Sequence, residues 1–205
     1  MFLLSANENL WQWLNKWDTW LFLKINTRWT TPFLDSIFPV WREANTWIPL
    51  YLFLVLLIFF NFGWKAWPYV VFIAVTIAIS DQLSSSLFKD WFNRPRPCRD
   101  PFLQDYVRLL LNRCPASGSF TSSHATNHFA AAVFFYHTLK PWFRKYIYLF
   151  FFWAATISYG QVYVGVHYPL DIIGGALLGS AVGYGTSWIF KKYLGLPKLG
   201  PTEQV

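Results

Sequence analysis

Hydrophobic and polar positions divide this chain into long apolar blocks joined by polar segments. Crossing a bilayer core of roughly 30 Å takes about 20 helical residues. On that measure the blocks predict spans at Trp47–Trp64, Trp67–Phe88, His124–Thr138, Tyr146–Val166 and Pro169–Phe190, here called A to E. Span C is the weakest, being short and interrupted by His124, Asn127 and His128. Trp64, Trp67, Trp91, Trp142 and Trp188 fall near block ends, where indole rings sit at headgroup depth. Ahead of span A, residues 8–29 mix apolar and charged positions at helical spacing, which predicts an amphipathic helix lying in the interface. Thr31–Trp41 is apolar but broken by Pro32, Asp35 and Pro39, and is read as part-inserted, a sixth crossing being the alternative. The expected fold class is an all-α polytopic membrane helix bundle of about five spans. It divides into N-terminal interfacial helices (1–45), a transmembrane core (46–192) with an outer loop (89–123), and a tail (193–205).

Composition strengthens this. Hydrophobic residues make up 55% of the 205 and charged residues only 13%. A soluble domain of this size has too much surface for its volume to hide such a share, and disordered chains need the opposite bias. The opening MFLLSANENLW has no basic n-region and too short an apolar run for a cleaved signal peptide.

Charge sets sidedness. The A–B turn holds Lys65, the C–D turn Lys140, Arg144 and Lys145, and the tail Lys191, Lys192 and Lys198. Five alternating spans put all of these on one side, which the positive-inside rule makes cytoplasmic. The N-terminal charges, Lys16, Lys24, Arg28 and Arg42 against Glu8, Asp18, Asp35 and Glu43, sum to zero. The opposite face is also basic, with Lys89, Arg94, Arg96, Arg99, Arg108 and Arg113. These basic residues form no single stripe with interleaved aromatics, so nucleic acid is not the expected partner. Either headgroup contact by snorkelling side chains or an anion site explains them.

Three clusters converge on that face: K-D-W-F-N-R-P-R-P (Lys89–Pro97), F-T-S-S-H (Phe120–His124) and G-Q-V-Y-V-G-V-H-Y-P-L-D (Gly160–Asp171). Together they read as a phosphate site. Lys89 and Arg96 supply positive charge, and arginine adds a planar fork of donors. Ser122, with the N–H groups of Ser123 and His124, stands where a helix begins and anions are favoured. His167 precedes Pro169, a first-turn residue, so Asp171 can accept a bond from one ring nitrogen and leave the other as a nucleophile. His124 is a second imidazole, available as general acid and then base.

These residues resemble the type 2 phosphatidic acid phosphatase family, whose pattern is K-x6-R-P, P-S-G-H and S-R-x5-H-x3-D. Lys89, Arg96 and Pro97 match the first element, Ser122 and His124 keep the second, and His167 and Asp171 keep the third. The resemblance implies a membrane lipid phosphatase that needs no metal or other cofactor. It implies that His167 attacks phosphorus, His124 handles the leaving-group and water protons, and Asp171 steadies His167. Lys89, Arg96, Ser122, Ser123 and Gln161 would hold the phosphate oxygens. Expected substrates are undecaprenyl diphosphate, lipid A phosphate, phosphatidylglycerol phosphate or phosphatidic acid, met at the outer face of a bacterial inner membrane. One departure stands out: Gly160-Gln161 replaces the family's Ser-Arg. Arg94, Arg99 or Arg113 could supply the missing charge; a weak or silent lipid-phosphate binder is the alternative.

His124 and His128 also have metal-ligand spacing, but no adjacent Glu accompanies them, and His128 is read as packed inside the bundle. Gly175, Gly179 and Gly183 form a small-residue stripe expected to pack internally. Cys98 and Cys114 share the outer loop, where a disulfide would bring Arg96 toward Ser122 and His124.

Overall fold

The structure, a computed structural model, describes residues 9–196. Lys198, Glu203 and most of the expected tail lie outside them. Every regular element among the described residues is helical.

Helix α1 (Leu10–Leu23) starts at Asn9, whose side chain caps Gln12 while Gln12 caps Asn9 in return. After a wide π turn at Lys24–Arg28, α2 (Pro32–Trp41) begins with Thr31 as N-cap and Pro32 in the first turn. Helix α3 (Ile48–Phe62) ends at Gly63, whose φ of 67° suits a residue without a Cβ. Helix α4 (Trp67–Gln82) runs through a π segment, Leu83–Phe88, into the short α5 (Lys89–Phe92). A long outer loop follows, then α6 (Ser123–Phe143), α7 (Tyr148–Tyr163) and α8 (Pro169–Tyr193).

Three helical stretches among the described residues are long and apolar enough to cross a membrane: Ala44–Phe62, Trp64–Phe92 and Pro169–Tyr193. The predicted span C is longer than its apolar block, since α6 continues five residues past Thr138. Its His and Asn residues are tolerated because α6 lies inside the bundle, burying Ala125, Ala130, Ala132 and Phe134 completely. Apolar side chains facing outward instead belong to α3, α7 and α8, among them Phe53, Phe60, Phe152 and Leu177.

The α6–α8 contact rests on the glycine stripe. A Cβ on Gly179 would run into the Thr126 carbonyl, and one on Gly183 into the Ala130 carbonyl. The stripe therefore packs backbone on backbone within the chain. A second cluster covers the end of the bundle where α7 leads into α8: Phe22, Ile25 and Phe38 from the N-terminal segment pack on Val162, Tyr163, Val164, Val166 and Tyr168. Polar ties reinforce it. Asn26 donates to the Arg108 and Tyr163 carbonyls, and Asp35 accepts from Arg108 and from the Tyr163 hydroxyl. The zero-sum charge of the N-terminal segment thus hides pairs made with distant parts of the chain.

Candidate active site

The three sequence clusters meet at one end of the bundle, beside α5 and the starts of α6 and α8. Asp171 is fully buried in the first turn of α8. Its Oδ2 accepts from the Tyr168 N–H at 2.8 Å, from the Ser119 hydroxyl at 2.5 Å, and faces His167 Nδ1 at 3.4 Å. The other His167 nitrogen, Nε2, lies 3.0 Å from Arg96 Nη1. An arginine can only donate, so Nε2 must carry the lone pair and Nδ1 the proton that points to Asp171. The expected His167–Asp171 relation is present, with the tautomer set from both sides.

Electrostatics favour the neutral ring. Burial pushes the His167 imidazole down to about 4; the Asp171 bond opposes this and the Arg96 charge adds to it. Arg96 is itself 5% exposed, and burial brings its guanidinium down to about 10, a value at which it stays charged near neutral pH. Its remaining donors bind the Ser117 carbonyl and hydroxyl and the Val166 carbonyl. These bonds fix the fork beside the nucleophile. Pro95 and Pro97 flank it, and both lack an N–H that could draw it into regular structure.

Lys89, at the start of α5, donates to the Ser123 hydroxyl at 2.8 Å. Ser122 is the N-cap residue of α6; its N–H donates to the Asp171 carbonyl at 3.1 Å, joining the second and third clusters. Its hydroxyl is buried without a hydrogen-bond partner, as is the amide nitrogen of Gln161. Buried polar groups without a partner are uncommon, and a water, an ion or a ligand can satisfy them. His124 occupies the first turn of α6, within electrostatic reach of His167 and Lys89. His128, one turn on, donates from Nδ1 to the His124 carbonyl and packs edge-on against Trp153. No third His, Cys, Asp or Glu joins these two among the described residues.

The arginines offered in place of the family's charge are employed differently. Arg94 is clasped by Asp18 at 2.6 Å and Asp171 at 2.8 Å, and stacks 3.9 Å over the Tyr168 ring. Its charge is spent on two fully buried carboxylates. Arg99 is exposed and donates to the Cys114 carbonyl, and Arg113 is exposed without a hydrogen bond or ion pair among the described residues. Gln161 is likewise corrected: its side-chain oxygen accepts from Arg42 Nε at 3.0 Å, so only its amide end is left for a phosphate. Cys98 and Cys114 are bonded, with Cα atoms 6.0 Å apart, closing the loop that carries Arg99 and begins two residues after Arg96.

Sequence reading missed three contributors. Ser119 sits five residues before His124 and looks like ordinary loop polarity. Asp18 belongs to the amphipathic segment and Arg42 follows the part-inserted Thr31–Trp41, where such charges read as headgroup-facing. Asp18 also accepts from the Leu170 N–H at 2.8 Å, at the N-terminus of α8.

Comparison with known proteins agrees. The chain is 35% identical over 182 residues to the lipid A 4'-phosphatase of Bacteroides thetaiotaomicron, covering 87% of this chain and 77% of the relative. It is 32% identical over 166 residues to the lipid A 4'-phosphatase of Porphyromonas gingivalis, covering 80% and 67%. Its fold matches the crystal structure of a transmembrane PAP2-type phosphatidylglycerolphosphate phosphatase from Bacillus subtilis, with a TM-score of 0.65, 21% identity and coverage of 91% and 89%. The family model for the PAP2 superfamily matches residues 65–194, which hold every motif element described above, and the chain belongs to that superfamily.

Proposed function

We propose that the protein is an integral membrane lipid phosphatase of the bacterial inner membrane that removes a phosphate from a lipid A-type headgroup through a phosphohistidine. The observation that carries this reading is His167, with Nδ1 held by Asp171 and Nε2 kept as a lone pair beside Arg96. On substrate binding, Arg96 shifts its Nη1 donor from Nε2 to a phosphate oxygen. Nε2 attacks phosphorus, the bond from phosphorus to the leaving oxygen breaks, and His124 gives that oxygen a proton. His124 then takes a proton from water, whose oxygen attacks phosphorus as the P–N bond breaks. Lys89, Arg96, Ser122 and the Ser123 N–H stabilise the equatorial oxygens, usually the largest share of such catalysis.

Lipid character of the substrate is supported by an apolar cavity of about 550 Å³ lined by α3, α4 and α6, including Leu54, Ile58, Ile73 and Phe135. His128 lines it too, one turn below His124, so acyl chains can stay in the bilayer while the phosphate meets the histidines. The names of both relatives favour lipid A over the other candidates. The positive-inside pattern and the Cys98–Cys114 disulfide favour five crossings with the site facing the periplasm.

The test is phosphate release in detergent from lipid A phosphate, undecaprenyl diphosphate, phosphatidylglycerol phosphate and phosphatidic acid, each with and without EDTA. The expected result is release in EDTA, fastest from lipid A phosphate. Release that requires a divalent ion points instead to a metal-dependent hydrolase. Binding without any release points to a silent lipid-phosphate binder.

A pH dependence follows as well. His167 must be neutral to attack, and its folded value near 4 lies below the ordinary histidine value of about 6.5. Activity linked to this ring should therefore persist well below pH 6.5 and fade only as pH drops toward 4. The check is kcat/KM against pH, corrected for titration of the substrate phosphate. A His167-linked loss centred at or above pH 6.5 would contradict the buried, neutral nucleophile.

A further inference from the structure

The structure presents a buried cation that the motif does not contain. Arg42, at the C-terminal end of α2, is 7% exposed. Its only ion-pair partner among the described residues is Glu43, whose side chain is 51% exposed and remains mostly in water. A buried charge with so weak a counterion is costly, which argues that an anion completes its surroundings. Arg42 Nε donates to the Gln161 side-chain oxygen at 3.0 Å, Nη1 goes to Glu43, and Nη2 has no hydrogen bond among the described residues. The guanidinium lies within electrostatic reach of both Arg96 and His124. Beside it, the Gln161 amide nitrogen is buried with no partner.

The two departures from the motif also fit this arrangement. A Cβ on Gly160 would stand 3.0 Å from the Phe38 ring and 3.6 Å from Arg42 Cβ. Glycine at 160 thus lets α2 approach α7. Glutamine at 161, shorter than arginine and able to accept, leaves room for an incoming guanidinium and gives it an anchor. We propose that Arg42, delivered by α2, is the third cation of the phosphate cradle with Lys89 and Arg96, and that Gln161 positions it. Its fork would bind an equatorial phosphate oxygen that gathers charge as the P–O bond breaks. This inference rests on the phosphatase reading above.

The test uses the full chain in detergent, reading kcat and KM on lipid A phosphate, inhibition by inorganic phosphate, and thermal midpoint. Arg42→Met should lower kcat by about 10²–10³-fold, the usual effect of losing one such donor, and weaken phosphate inhibition. In that background Gln161→Arg should restore kcat to within about tenfold of the natural protein, because the charge is returned from the other helix. Arg42→Lys keeps the charge without the fork and should lose roughly tenfold in kcat, which serves if Arg42→Met does not fold. Loss restored by the second substitution supports the proposal. Unchanged kcat and phosphate inhibition in either Arg42 variant, or loss that Gln161→Arg does not restore, overturns it. His167→Ala in the same assay separates the two readings: turnover surviving there ends the phosphohistidine mechanism itself, whereas its absence beside normal Arg42 variants ends only this proposal.

Discussion

Replacing His167 with alanine is expected to lower phosphate release by about 10⁶-fold, the scale on which an enzyme loses its nucleophile, with lipid phosphate still bound. Both halves of that expectation come from geometry. The substitution removes Nε2, the nitrogen proposed to form the P–N bond, but leaves Lys89, Arg96 and the amino end of α6 in place. Affinity for lipid A phosphate should change by less than about tenfold, since those charges carry most of it. Rapid quenching of the natural protein should trap a phosphorylated chain that is stable to base and labile to acid, and His167→Ala should trap none. A variant keeping more than a percent of turnover would mean that water attacks phosphorus directly.

The second large effect concerns Arg94. Arg94→Met should lower the thermal midpoint by about 10 °C, because two fully buried carboxylates lose their shared cation. Breaking a buried pair commonly costs about 3–5 kcal/mol, and each kcal/mol moves a chain of this size by about 2–4 °C. Activity should fall as well, through Asp171, which would no longer be held in line with His167. Adding Asp18→Asn should recover part of the stability, because a neutral amide can still accept from the Leu170 N–H and one unpaired charge is gone. It should not recover the activity. If Arg94 were instead a phosphate contact, Arg94→Met would leave the thermal midpoint where it is and weaken only substrate binding.

Much of this candidate site was legible as a cluster because its residues lie in segments that the alternation of spans sends to one face. Lys89, Arg96, Ser122, His124, His167 and Asp171 could be read because alternating spans send their segments to one face, and each carries a group that phosphate transfer uses. The Cys98–Cys114 bond was legible for a similar reason, two cysteines in one outer loop. The stretches Ala44–Phe62, Trp64–Phe92 and Pro169–Tyr193 were readable from apolar length, α1 from its amphipathic spacing, and α6 needed its position inside the bundle to explain its polar residues. What stayed hidden depends on pairing across the chain. Asp18 meets Arg94, Asp35 meets Arg108 and Arg42 meets Gln161, each separated by more than seventy residues. Such partners leave no local pattern. An amphipathic segment that salts its polar face with both signs looks the same whether it touches headgroups or reaches into a pocket. Arg94 was misassigned for this reason: it stands beside Arg96 in sequence, but a carboxylate from α1 had already claimed it.

The glycine stripe between α6 and α8 reaches beyond stability. Those two helices carry His124 at the head of one and Asp171 at the head of the other, with His167 just ahead of it, and the stripe locks them together at backbone distance. On the proposed mechanism the reacting groups therefore ride on one stiff chassis, while the apolar cavity proposed for the lipid tail is walled by α3 and α4 as well as by α6. Tail preference and bond-breaking can thus diverge separately. On that reading, rewriting the α3 and α4 walls should shift the preferred chain length or branching while His124 and His167 keep their places.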